Sequence, residues 1–345
     1  MFILDNKIRN NLKGLKPYAS ARDEFSGEAD VYLDANENPF PNGKNRYPDP
    51  HQRLLRDKLA QLKSVDPKMI FTGNGSDEVI DLLMRMFCNP GIDNIITLPP
   101  TYGMYSVSAA INDVEIREVP LTTGFQPNVE AILNIADEKS KLLFICSPNN
   151  PTANLINREI IIELLNRFKG LVIIDEAYID FCPSASATSL LGSYPNLFIM
   201  QTLSKAWGLA GVRIGIGIGQ PELIQVLDNI KPPYNISVLN AAAALEVLSD
   251  SVSMKRKVDV LLAERAWLTN ALQALQSVEK IYGSDANFIL VKIKEADRVY
   301  RKLIEQKIVV RNRSSVILCA QCLRITVGVP EENRKLIQAL QKLGA

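Results

Sequence analysis

The stretches LVIIDEAY (171–178) and LFIMQTLSKAWGLAGVR (197–213) decide how this chain folds. Each opens with a uniformly apolar run of strand length. Each run then gives way to residues that carry chemistry, Asp175 and Glu176 in the first and Ser204 and Lys205 in the second. Strands that are apolar throughout are buried on both faces, as in a parallel sheet covered by helices. Working outward, similar runs stand at 95–98, 142–146 and 212–218, and helical patterns lie between several of them, at 77–88 and 158–168. The alternation predicts an α/β fold with a mostly parallel sheet. Ligands bind at the carboxyl edge of such sheets, so Asp175 stands at a binding edge, with Lys205 just past the next strand.

Further along, 237–275 reads as one long helical stretch rich in Ala and Leu. A strand (288–293), a helix (296–306), strands near Val309 and Ile325 and a terminal helix from Glu331 follow, which suggests a smaller α+β domain. Residues 1–45 are polar and turn-rich, with Asn36-Glu37-Asn38-Pro39 and Pro41-Asn42-Gly43, and read as an arm. The expected division is an arm (1–45) joining the small domain and a dimer interface, a large domain (46–240) and a small domain (241–345).

Composition narrows the function. A chain of 345 residues, 47% hydrophobic, is large for one core and predicts two domains. Lys and Arg total 39 against 38 Asp and Glu, and this balance argues against nucleic acid or a membrane surface as partner. No apolar run approaches the roughly 20 residues of a bilayer span, and the start, MFILDNKIRNNLKGLKPYAS, lacks a signal-peptide layout, so a soluble cytoplasmic protein is expected. Five scattered cysteines fit reduced thiols. Cys319-Ala-Gln-Cys322 has no second pair or histidine near it, the one histidine, His51, reads as a surface residue at a helix start, and no metal is expected.

Three clusters carry chemistry. In TGNGSDE (72–78) a short apolar run gives way to a helix start, whose free N–H groups and partial positive charge favour a phosphate. Its plainer reading is a strand-to-helix turn capped by Ser76 or Asp77. Glu78 stands where a dinucleotide fingerprint needs its third glycine. GIGIG (215–219) lies inside a strand pattern and reads as a tightly packed strand. Asp175 is a candidate metal ligand, general base or partner for a protonated ring nitrogen. Lys205 in a small-residue loop would ordinarily be solvated; a buried lysine beside a cation such as Arg213 has a depressed pKa and can condense with an aldehyde. A phosphate cradle, a carboxylate for a pyridinium and a lysine for an aldehyde are together what pyridoxal phosphate requires.

Here the sequence resembles the fold-type I pyridoxal-phosphate-dependent aminotransferases, and within them the histidinol-phosphate aminotransferase family. The likeness runs nearly end to end, through LDANENP (33–39), RYPDP (46–50), GNGSDE (73–78), PPTYGMYSVS (99–108), SPNNPT (147–152), DEAYIDF (175–181), TLSKAWGLAGVRIG (202–215) and CLRITVG (322–328). It implies a large domain with a seven-stranded, mostly parallel sheet and a smaller α+β domain. It implies that Lys205 holds the cofactor as an imine and moves the substrate proton, and that Asp175 pairs with the pyridinium. Tyr178 and Asn150 would bond the phenolic oxygen, and Tyr102 would stack on the ring. Ser76, Asp77, Ser204 and Arg213 would hold the phosphate, which Tyr47 would reach from the neighbouring subunit of a homodimer. Arg324 would bind the substrate carboxylate, Arg311 would serve phosphate-bearing substrates, and Tyr18 and Asn36 would close over the substrate. The implied reaction moves the amino group of L-histidinol phosphate to 2-oxoglutarate. Rival readings are an aromatic amino acid aminotransferase, a threonine-phosphate decarboxylase on the same layout, or a cofactor-binding module without turnover.

Two positions depart from the resemblance. Ala153 stands where glycine is usual after Asn-Pro-Thr, and would be strained if the position requires positive φ. Trp207 stands where phenylalanine is commoner.

Overall fold

The computed structural model describes residues 2–25 and 29–343. Among the described residues eleven strands form two sheets. The larger contains β1 (Ile70–Asn74), β2 (Asn94–Thr97), β3 (Glu115–Glu118), β4 (Ser140–Cys146), β5 (Leu171–Asp175), β6 (Leu197–Thr202) and β7 (Ile214–Ile218), in the order β1-β7-β6-β5-β4-β2-β3. The smaller contains β8 (Val278–Ile281), β9 (Phe288–Ile293), β10 (Arg311–Asn312) and β11 (Cys322–Thr326), in the order β10-β11-β9-β8.

The large sheet is parallel from β3 to β6, and β7 runs antiparallel to both its neighbours. Only the short segment 203–213 joins β6 to β7, with one 3-10 turn at Ala210–Val212. A parallel return needs a crossover of a dozen residues or more, so so short a connection brings the chain back antiparallel. As the apolar runs predicted, the sheet is buried on both faces. Along β4, Leu143 and Ile145 join one core cluster, with Leu164, Val172 and Ile199, while Leu142 and Phe144 join another, with Ile80, Leu83 and Phe198. The GIGIG strand packs tightly, as expected. A Cβ at Gly215 would lie 2.3 Å from the Gly75 carbonyl carbon, so only glycine lets the β1-to-helix turn rest on β7.

Several boundaries differ from the sequence reading. The expected single helix at 237–275 is two, Val238–Leu248 and Ser251–Gln273. The break falls where Asp250 caps the second helix, accepting from the Ser253 N–H at 2.9 Å, because an aspartate that can bond a free helix-start N–H favours the cap over the helix interior. The strand expected from residue 212 begins at Ile214. The first part of the arm lies against the large sheet's layer: Ile8 is buried with Met84 and Phe87, and the Arg9 N–H donates to the Met86 carbonyl. Among the described residues no helix is long and apolar enough to cross a membrane.

Candidate active site

A cavity of about 630 Å³ lies between the carboxyl edge of the large sheet and the β10–β11 face of the small one. It is lined by Ser76, Asp77, Tyr102, Asn150, Asp175, Tyr178, Ser204, Lys205, Arg213, Arg311 and Arg324, each singled out from the sequence, together with Arg313.

The floor is the end of β5. Asp175 is its last residue and is almost wholly buried. Both carboxylate oxygens are held: Tyr105 Oη donates to Oδ2 at 2.6 Å and the Ala177 N–H to Oδ1 at 3.1 Å. Burial nevertheless pushes the carboxyl pKa up, and these two donors, with Lys205, pull against it. The next residue, Glu176, faces away from the cavity chemistry and accepts from Gln201 Nε2, Ser186 Oγ and the Ala187 N–H. Among the described residues no group of three or more His, Cys, Asp and Glu is placed to hold a metal ion.

Lys205 sits three residues beyond β6. Its side chain opens into the cavity and is exposed there, yet protein crowds its stem, and Nζ lies 5.5 Å from the centre of the Tyr178 ring. That crowding lowers the amine's pKa, followed by the Arg324 guanidinium and, more weakly, Arg213, while Asp175 opposes them. Arg213 is the cation expected beside Lys205 from the sequence, but the larger influence is Arg324, which the small sheet brings across the cavity. Tyr178 is buried, meets Phe288 edge-on at 5.0 Å, and has its phenol pKa raised by burial.

The expected phosphate cradle lies in the turn between β1 and the helix Ser76–Phe87. The expected cap, Ser76 or Asp77, is not one: Gly75 occupies the N-cap at φ +76°, with no side-chain bond, and the two residues form the first turn. A side chain at Gly75 would strike Arg213, since its Cβ would lie 2.4 Å from Nη2. Arg213 Nη2 stands 3.6 Å from Asp77 Oδ2, and Tyr102 Oη donates to Asp77 Oδ1 at 3.2 Å. Ser204 is held by Thr202, whose Oγ1 accepts from the Ser204 N–H at 3.1 Å. A helix start with no side-chain cap, two serine hydroxyls and a guanidinium form a donor set suited to a phosphate, and the glycine leaves room for it. With the buried carboxylate and the depressed lysine, the residues fit pyridoxal phosphate.

The opposite wall is the small sheet. Arg311 and Arg324 are directly opposed in the β10–β11 register. Arg324 donates to Asn150 Oδ1 and lies 5.2 Å from the centre of the Phe288 ring. Tyr105 and Arg313 also take part, and neither stands out in the sequence. Tyr105 lies in the first turn of the helix Met104–Ile111 and meets the Tyr102 ring edge-on at 5.6 Å; Arg313 follows Arg311 by two along the extended ladder, a spacing that puts both on one face.

Three expected residues lie outside the cavity in a single chain. Tyr47 stacks flat on Tyr234, with ring centres 4.4 Å apart, beside Lys44, Val238 and Leu239. Tyr18 is 74% exposed, and Asn36 sits at φ +55° in irregular chain. That stretch is tied to itself, through Arg22 to Asp34 and Glu37 and through Arg46 to Glu37, and most of its residues are exposed.

The family model for class I and II aminotransferases matches residues 33–340. A histidinol-phosphate aminotransferase of Parabacteroides distasonis is 50% identical over 340 residues, covering 99% of each chain. Among solved structures, the histidinol-phosphate aminotransferase of Clostridium acetobutylicum superposes with a TM-score of 0.80 at 26% identity, covering 87% of this chain and 90% of that one. The Sinorhizobium meliloti histidinol-phosphate aminotransferase, solved in complex with pyridoxal-5'-phosphate, shares the fold with a TM-score of 0.78 at 22% identity, covering 86% and 84%. A match of this extent settles the family: the chain belongs to the class I and II aminotransferases.

Proposed function

We propose that this enzyme transfers the amino group of L-histidinol phosphate to 2-oxoglutarate in histidine biosynthesis, with pyridoxal phosphate as its cofactor. One observation carries the reading: Arg311 and Arg324 face each other across two strands and line the cavity that holds Lys205 and Asp175. Relatives bearing the histidinol-phosphate aminotransferase name match it over nearly its full length.

Pyridoxal phosphate, when bound, supplies an aldehyde for amines and a ring that accepts electrons from the substrate carbon. The chain's residues then divide the work. Ser76, Asp77, Ser204 and Arg213 hold the phosphate. Tyr102 covers the ring, and Asn150 and Tyr178 bond its phenolic oxygen. Asp175, fixed by Tyr105 and Ala177, keeps the ring nitrogen protonated. Lys205 Nζ would hold the cofactor through its aldehyde carbon and, once freed by the substrate amine, would carry the proton from the substrate carbon to that cofactor carbon, the shift that transamination requires. A depressed pKa suits this task, because more of the amine is neutral near pH 7. Arg311 and Arg324 bind the anionic end of either substrate, since a guanidinium fork fits phosphate and carboxylate alike.

The reading extends to assembly. Two copies pair, Tyr47 reaches the neighbouring site, and Tyr18 and Asn36 close over the substrate. Exposed Leu33, Phe40 and Leu239 are apolar surface for such a partner to cover. Residues 46–240 serve as the cofactor domain and 241–345 as the small domain. The five cysteines are all free, in keeping with the cytoplasm.

The test is a donor panel of histidinol phosphate, phenylalanine and threonine phosphate, each with 2-oxoglutarate. Histidinol phosphate should give the highest kcat/KM, and turnover should require the keto acid. Carbon dioxide release from threonine phosphate without a keto acid would replace this reading with a decarboxylase.

A further inference from the structure

Arg311 and Arg324 are not the only guanidiniums on the cavity wall. Side chains at i and i+2 of a strand share a face, and directly opposed residues of an antiparallel pair share it too. Arg311 is opposed to Arg324. The ladder runs on past β10, where the Arg313 N–H donates to the Cys322 carbonyl at 2.8 Å, so Arg313 stands on the same face as the other two. Asn312, between them, points to the other face and bonds Asp297. All three arginines line the cavity.

No carboxylate among the described residues forms an ion pair with any of the three. The Nε atoms of Arg313 and Arg324 are buried without a hydrogen-bond partner. Like charges opposed across a ladder repel, and burial in addition to Arg311 lowers the pKa of Arg313. A chain that holds three guanidiniums on one sheet face with no carboxylate against them, Arg324 meeting only the neutral Asn150 amide, is shaped for an anion with more than one charge at a single point.

We infer that Arg313 is a specificity-determining residue, the third arm of an anion clamp with Arg311 and Arg324, and that it selects a phosphate dianion over a carboxylate. The inference rests on the proposed function for the identity of the phosphate-tailed substrate. The physical distinction is one of charge placement. A phosphate monoester puts up to two negative charges on three oxygens at one tip, enough to engage three forks. Glutamate and 2-oxoglutarate put one charge at each of two separated ends, so a single end engages fewer arms.

The experiment compares wild type with Arg313→Gln and Arg313→Lys, all loaded with cofactor so that the cradle at Ser76 is already filled. Inorganic phosphate binding is measured by calorimetry, and KM and kcat are measured for histidinol phosphate and for glutamate. Losing a charge-assisted bond should weaken inorganic phosphate binding about 10- to 100-fold in Arg313→Gln. KM for histidinol phosphate should rise in parallel, with a much smaller rise for glutamate and little change in kcat. Arg313→Lys keeps the charge without the fork and should fall between. The inference is overturned if both variants bind phosphate as wild type does, or if both substrates lose equally. Wild type that binds phosphate in the arginine-dependent way, yet never turns over histidinol phosphate, would sink the proposed function and leave the clamp standing.

Discussion

At the β5 end of the cavity, each oxygen of Asp175 is met by a donor from the chain itself, Tyr105 or Ala177. At the β10–β11 end, Arg311, Arg313 and Arg324 crowd together, and two of their Nε atoms are buried with no partner. The difference teaches how the work is divided. One end is fixed in geometry before any ligand arrives, as suits a cofactor that must be held in one pose through every turnover. The other is left with unmatched positive charge, as suits substrates that enter and leave and differ in where their negative charge sits. Preorganised donors contribute most where geometry must not change, and unpaired charges contribute most where the partner must be exchanged.

The largest test of that division is Lys205→Ala. Turnover should fall by about 10⁴-fold or more, since in the proposed reaction the substrate proton passes through this amine. Inorganic phosphate binding to the cofactor-loaded variant, measured by calorimetry, should stay close to wild type. A collapse of phosphate binding would show that the two ends are one coupled unit. Next is Asp175→Asn, for which kcat of the loaded enzyme should fall on the order of a hundredfold. The same variant carries a pH signature in the cofactor-free chain. Burial raises the Asp175 carboxyl in the folded state, so between the ordinary value of 3.8 and that raised value the folded chain holds a proton that the unfolded chain has lost. Stability therefore falls as pH rises through this window, and the loss persists above it. Denaturation curves from pH 4 to 7 should show this fall flattened in Asp175→Asn; an unchanged slope would mean that the donors outweigh burial.

At the other end, Arg311→Ala should raise KM for histidinol phosphate about tenfold more than KM for phenylalanine. Equal increases would remove the phosphate role of Arg311. Tyr105→Phe is a smaller perturbation of the fixed end. It takes one donor from a buried carboxylate and should destabilise the chain by about 1–3 kcal/mol in urea. It should also push the Asp175 carboxyl further up, because the Tyr105 bond opposes the effect of burial. Full stability in this variant would mean that the hydroxyl is not needed to hold the floor of the cavity.

The same contrast explains what the sequence made legible. Strands β4 to β7 stood out because both their faces are buried, so their residues are apolar almost without interruption. Strands β3 (EIRE) and β8 (VEKI) did not, because each is an edge strand, and edges carry charge that hides the strand pattern. The floor of the site was legible as Asp175 and Lys205 because strand ends point to it. Tyr105 was not, since its role depends on a bond to a residue seventy positions away. Arg313 was within reach of a period-two argument from Arg311, but the strand it follows is only two residues long and gives no pattern to read. Tyr18 and Asn36 depend on the path of an irregular arm, which local sequence does not determine.

Ala153 offers the finest test, because it lies in the loop that carries Asn150 from the fixed end towards Arg324. The position does adopt positive φ, +68°, as the strain argument required. Glycine would relieve about 1–2 kcal/mol of left-handed strain. Yet the Ala153 methyl is fully buried in a cluster with Tyr178, Phe181, Ala206, Ala286 and Phe288, and deleting it forfeits about 0.8 kcal/mol. Glycine also loosens the unfolded chain, at a further cost of about 0.4–1 kcal/mol. The terms nearly cancel, so Ala153→Gly should change unfolding free energy by less than about 1 kcal/mol and leave kcat nearly unaltered. That balance is the physical reason an alanine is tolerated there, behind the Tyr178 ring. A larger gain in stability would show that the methyl is not packed against the aromatic cluster, and the wall of the cavity behind Tyr178 would then be looser than the fixed end demands.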